Sequence, residues 1–333
     1  MMRFETSVSK APRLNKYILA LLMITGLTVV GCSEQTLDEI VDEVNAAGGM
    51  TDAQAESLSQ VKWLRLNGLT FITDAQAESL SKVGWLELNG LTSITDAQAE
   101  SLSQVTWLEL NGLTSITDAK ADSLSNVEQA VELNGLTSIT YAQAESLSKI
   151  EISVELNGLT SITDVQAESL SKVGSLSLNG LTTITDAQAE SLSKFSEFGL
   201  DGLTSITDAQ AESLSKVHLL SLSGLTSITN DQTESLSKVY SLKLNGLTSI
   251  TDAQADRLSN VNTLHLDGLT TITDTQAETL SKVDALWLND LTSITDAQAE
   301  SLSKVRDLTL TGLTSITDAQ AESLSQVEML ILP

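Results

Sequence analysis

The sequence predicts an α/β solenoid of about 13 units of 22–23 residues, with one parallel sheet of short strands and short helices on its other side. Three observations predict it. A glycine recurs at positions 68, 90, 112, 135, 158, 180, 202, 224, 246, 268 and 312, with Asp290 in the same column. The step is 22 residues except for two of 23, where VEQAVEL and IEISVEL carry one extra residue. Self-similarity at such a period marks a stacked array that grows as one body rather than a chain of separate domains. Each unit also holds two periodicities, an alternating triplet such as Leu86-Glu87-Leu88 and then a stretch with helical spacing. Finally, 41% of the residues are hydrophobic but only 3% aromatic, so Leu, Ile, Val and Ala must build the core.

Taken from the N-terminus, Arg3, Lys10, Arg13 and Lys16 precede an apolar run of 14 residues, Tyr17 to Val30. As a helix that run spans about 21 Å, short of a roughly 30 Å hydrocarbon core, so residues 1–31 read as an export signal rather than an anchor. The run enters Val29-Val30-Gly31-Cys32, which resembles the lipobox of bacterial lipoproteins. That resemblance implies lipidation of Cys32 and attachment to the membrane, and Ser33 after it implies the outer membrane, at the cell envelope or surface. Cys32 is the only cysteine, so a disulfide framework is excluded.

Residues 32–50 are expected to form the tether and a capping helix. Thr36 and Glu39 have capping-box spacing, Leu37, Ile40, Val41 and Val44 share one helical face, and Gly48-Gly49 supplies a stop. Residues 51–333 are the array. In each unit a strand triplet buries Leu86 and Leu88 or their equivalents, and Asn89-Gly90 turns the chain, with the glycine expected to supply a permissive φ. On that expectation Asp290 needs a mildly left-handed backbone. Thr95 and Gln98 then cap a two-turn helix whose inner side carries Ala77, Leu80 and Val83 or their equivalents. Gln98 and Glu100 are expected to be exposed, and Lys82 to pair with Glu78 one turn before it.

The pattern L-x-L-N-G-L-T-S-I with a following helix resembles the leucine-rich repeat family, especially arrays on bacterial surface proteins. The resemblance implies a concave strand face that recognises a ligand. The pattern departs from the family at Gly68-Leu69-Thr70, so a leucine ladder is expected where the family has an asparagine ladder. Strands about 4.8 Å apart against helices about 8–10 Å apart bend such an array towards the strands.

The letters that change between copies are those facing out from the sheet. Trp63, Trp85 and Trp107 occupy one column; Arg65, Glu87, Glu109, Glu132, Glu155, Lys243, His265 and Trp287 occupy the next outward column. These eleven residues are the candidate ligand contacts, for a protein or carbohydrate. Duplication with drift, giving a structural spacer with no ligand, is the alternative.

A formal charge of −26 repels nucleic acid. No metal or cofactor site is expected, because His218 and His265 stand two units apart at different positions and the serines lack a partnered base. No enzyme is predicted. The apolar end Leu330-Ile331-Leu332-Pro333 leaves three readings open: an edge blunted by Pro333, self-association through that edge, or truncation.

Overall fold

The computed structural model describes residues 35–333; the expected export signal and Cys32 lie outside the described residues. Thirteen three-residue strands, β1 (Trp63–Arg65) to β13 (Met329–Ile331), form one parallel sheet in strict chain order. Each pairs in register with the strand one unit on, as Trp85, Leu86 and Glu87 do with Trp107, Leu108 and Glu109. Between strands run helices of seven residues, from α2 (Asp52–Leu58) to α14 (Asp318–Leu324). The leucines of strand and turn form continuous ladders with no solvent exposure, Leu66, Leu88 and Leu110 in one and Leu69, Leu91 and Leu113 in another.

The helices are short because each is fixed at its start and by its neighbour. Thr95 accepts from Gln98 N, and the Gln98 side chain accepts from Thr95 N. That Gln98 amide also donates 2.9 Å to the Ile72 carbonyl of the preceding unit, and Gln143, Gln166 and Gln188 do the same to Ile116, Ile139 and Ile162. Gln98 is therefore buried, not exposed as expected. Its constancy between copies follows from two side-chain hydrogen bonds, whereas Glu100 is solvated as expected. Thr95 Oγ1 reaches Asp74 Oδ1 of the preceding helix at 2.9 Å, which accounts for the aspartate column too. The lysines likewise bridge units: Lys82 pairs with Glu56, Lys149 with Asp122 and Lys216 with Glu190, and the expected pair with the residue one turn back does not form.

Two expectations about the turn are corrected. The asparagines do form a ladder. Asn67 Oδ1 accepts from Asn89 N at 3.0 Å, Asn89 from Asn111 at 2.9 Å, and the series continues through Asn134, Asn157 and Asn179. It sits one residue after the second strand leucine, where an alignment to the family pattern does not look for it. The glycines are not there for left-handed φ, since Gly48 is the only described residue with positive φ. They are there for room: a Cβ on Gly112 would lie 2.4 Å from the Asn89 carbonyl oxygen and 2.5 Å from that of Leu91. Asp290 consequently needs no left-handed backbone. It donates its own N–H to Asp267 O at 3.1 Å, and the ladder bonds beside it lengthen to 3.2 and 3.3 Å.

The helix α1 (Leu37–Ala47) lies over the first unit, capped by Thr36 and Glu39 and ended by Gly48 at φ 69°. Ile40 and Val44 bury against the core. Asn45 Nδ2 donates to the edge carbonyl of Arg65, and Asn45 Oδ1 accepts from Gly68 N, so this helix starts the asparagine ladder and gives one β1 edge carbonyl a donor. At the other end, Met329 and Ile331 of β13 are more than half exposed.

Candidate binding surface on the strand face

Position 3 and position 5 of each unit, counting Val83 as 1, face away from the leucine core on the strand side. Trp63 is 50% exposed and Trp85 38%; Trp107 is half-buried. Their indoles are not free-standing. Trp63 Nε1 donates to Glu87 at 3.3 Å, Trp85 Nε1 to Glu109 at 3.0 Å, and Trp107 Nε1 to Glu132 at 3.3 Å, in each case one unit on. The ladder asparagines reach the same carboxylates: Asn67 to Glu87, Asn89 to Glu109, Asn111 to Glu132 and Asn134 to Glu155. Each glutamate is thus held by a tryptophan and an asparagine of the preceding unit until the tryptophans end. Ala130 stands in the tryptophan column before Glu155, and Asn157 supplies a second donor there instead.

Arg65 closes the N-terminal end. Its Nε lies 2.6 Å from Glu87 Oε2 and a terminal nitrogen 3.0 Å from Oε1, a two-pronged pair, while the guanidinium covers the Trp63 ring at 5.2 Å. The Trp85 and Trp107 rings stack at 4.6 Å and 16°, and the next residue of the row, Ala130, is buried. Arg65 therefore covers one face of Trp63, and Trp85 and Trp107 cover one face of each other.

Glu87, Glu109, Glu132 and Glu155 stand in register on consecutive strands, and like charges placed opposite one another repel. Only Glu87, 4% exposed, meets a cation. Burial pushes its carboxyl up, but the Arg65 hydrogen bond and charge, with Asn67 and Trp63, outweigh that and hold it below the usual range. Glu132 has no such partner. Burial, then the Glu155 and Glu109 charges, push it up to about 7.

The remaining candidate contacts form a second patch. Lys243 on β9 (Ser241–Lys243) is exposed, and His265 on β10 (Thr263–His265) stacks on Trp287 of β11 (Ala285–Trp287) at 4.0 Å and 12°. Burial and then Lys243 lower the imidazole to about 4, so it is neutral at physiological pH. Reading the columns separately missed the matching between a tryptophan in one unit and a glutamate in the next. The signal was present, because the tryptophan run at 63, 85 and 107 is the glutamate run at 87, 109 and 132 displaced by one unit.

No protein-family model matches the chain, and a search of curated proteins finds no match. Among solved structures it is similar to the crystal structure of an internalin, InlF, from Listeria monocytogenes, with a TM-score of 0.53 at 17% identity over 91% of this chain and 98% of that one. With thirteen in-register parallel strands, a helix between each pair and an asparagine ladder, the fold of this chain is the leucine-rich-repeat solenoid.

Proposed function

We propose that the chain is a bacterial surface recognition module, tethered through a lipid on Cys32, that binds a protein partner on the strand face of β1 to β5 (Ser153–Glu155). One observation carries it: two half-exposed indoles, Trp63 and Trp85, stand over a hydrogen-bonded carboxylate row and are held in place by it. Rigid aromatic groups with satisfied polar ends form the hot spots of protein interfaces. A glycan stacks on open ring faces, and here one face of each indole is already taken by Arg65 or by a neighbouring indole, which favours a protein partner over carbohydrate at this patch. Among the described residues no helix is long and apolar enough to cross a membrane.

A spacer reading draws on the same network, because indoles and carboxylates that satisfy each other also hold neighbouring units together. A display selection of peptides and small domains on the immobilised full chain separates the two. Recognition predicts enriched binders that are lost on a Trp63→Ala, Trp85→Ala, Trp107→Ala variant. Enrichment that ignores those changes, or none at all, contradicts it. For the tether, labelled palmitate should enter the native chain and not Cys32→Ala.

A further inference from the structure

A depression of about 310 Å³ on the strand face is bordered by Glu155 of the first patch and Lys243 of the second. It spans β6 (Ser175–Ser177), β7 (Glu197–Gly199) and β8 (Leu219–Ser221). Its floor is the outward row Ser177, Gly199, Ser221, the smallest side chains that row carries on three consecutive strands. The unit that holds Gly199 departs from the others below the sheet as well. Phe195 and Phe198 stack at 5.3 Å in place of the usual valine and leucine, so bulk is added to the core where it is removed from the surface. Pairing is also sparser there: β6 and β7 pair through two residues, where the other neighbouring strands pair through three.

The lining divides into fixed and open groups. Ser177 donates to Asn157, Asn179 to Ser177, and Ser221 to Asp201, so the floor is pre-organised. Ser175, Glu197, Ser241 and Lys243 line the depression and make no side-chain hydrogen bond among the described residues. At the two ends of the outward row stand Glu155 and Lys243, of opposite charge. A bare cation would match the carboxylates and be opposed by Lys243. An anion meets the reverse. An apolar ligand would strip water from hydroxyls and charges without replacing it. A small polyol matches the polar lining, because each hydroxyl both donates and accepts, and Leu219 is the one apolar side chain of the lining that is not buried. A depression of this volume is also at the small end of the usual ligand sites.

We infer that this depression is a saccharide subsite, separate from the tryptophan shelf, with Glu197, Asp201 and the serines accepting from sugar hydroxyls and Lys243 donating to one. The one aromatic residue of the lining, Phe198, is 2% exposed and offers no open ring face, so affinity for a single sugar falls roughly in the millimolar range.

The test is nuclear magnetic resonance of the isotope-labelled full chain, titrated with the methyl glycosides of glucose, galactose, mannose and N-acetylglucosamine. Lysine amide and acetate serve as ionic controls. One glycoside should give saturable shifts at the Ser177, Gly199 and Ser221 amides. Gly199→Gln fills the floor and should abolish the shifts; its Cβ meets only the Asn179 amide oxygen, at 2.8 Å, which also accepts from Asp201 N, so unchanged Asp201 amide protection in the variant shows that the ladder is kept. Lys243→Met, an exposed change that leaves folding intact, should weaken binding several-fold, and Trp85→Ala should leave it unchanged. Shifts by lysine amide or acetate instead of a glycoside, or by none of the probes, overturn the assignment. So do shifts that persist in Gly199→Gln. A negative result here leaves the tryptophan-shelf reading standing, because that reading is tested with protein binders at other residues.

Discussion

At the residue scale, Glu132 and His265 are the two groups whose surroundings move their titration into an accessible range, and they act in opposite directions. Glu132 titrates near 7 in the folded chain, above its ordinary value, so the folded state holds the extra proton between about 4.5 and 7 and stability falls as pH rises through that window. His265 titrates near 4, below its ordinary value, so the unfolded state takes the proton first and stability is lost as pH falls below about 6.5. In the native chain the two partly cancel. Glu132→Gln should remove the loss on alkalinisation and His265→Gln the loss on acidification. Denaturation midpoints from pH 4 to 8 (about one point per unit) would show the two variants diverging from the native chain with opposite slopes; parallel curves would reject the assignment.

Lys120 makes a second residue-scale case. It replaces the capping-box glutamine in the helix Asp118–Leu124, so the bond back to its cap and the one to the preceding unit are both missing, and its ammonium lies 3.8 Å from Asp96. Restoring Lys120→Gln should stabilise the array by about 1 kcal/mol, the usual net worth of such hydrogen bonds. Slower amide exchange in that helix and its neighbour is the readout.

Among elements, the turn after each strand is the least forgiving. A Cβ at Gly112 would meet two backbone carbonyls, neither of which can move without shifting a whole unit, so Gly112→Ala should destabilise by about 1–3 kcal/mol. Asp290→Gly should do the reverse and shorten the stretched ladder bonds, visible as better-protected amides at Asn289 and Thr311. The strand triplets and helices were legible in the sequence because each obeys a local period and the core leucines hold both. The turn was only half legible. Asn-Gly invites a reading through φ, whereas its cause is the closeness of the next unit, which no local pattern reports. Gln98 was misread for the same reason: half of its bonds run to a residue 26 positions away. Glu87 and Glu109 faced outward as expected, but their burial under neighbouring tryptophans depends on what the adjacent copy carries.

For the whole molecule, stacking makes stability a sum of units and nearest-neighbour contacts. The helix α1 occupies the place of a preceding unit through Asn45, Ile40 and Val44, so Asn45→Ala should fray β1 first and leave distant units protected. On this scaffold the strand face carries a tryptophan–carboxylate shelf over β1 to β5, then the small-residue depression, then the Lys243, His265, Trp287 patch. The depression escaped sequence reading because Gly199 and its serines look like drift until the register places them side by side. The central claim is that the shelf recognises a partner rather than only holding units together. It is tested most directly by measuring, for one selected protein binder, the affinity of Trp63→Ala beside its unfolding midpoint. The account predicts an affinity loss of about 10–100-fold with less than about 1 kcal/mol lost in stability. Unchanged affinity with a lowered midpoint would make the shelf a staple of the array and contradict the claim.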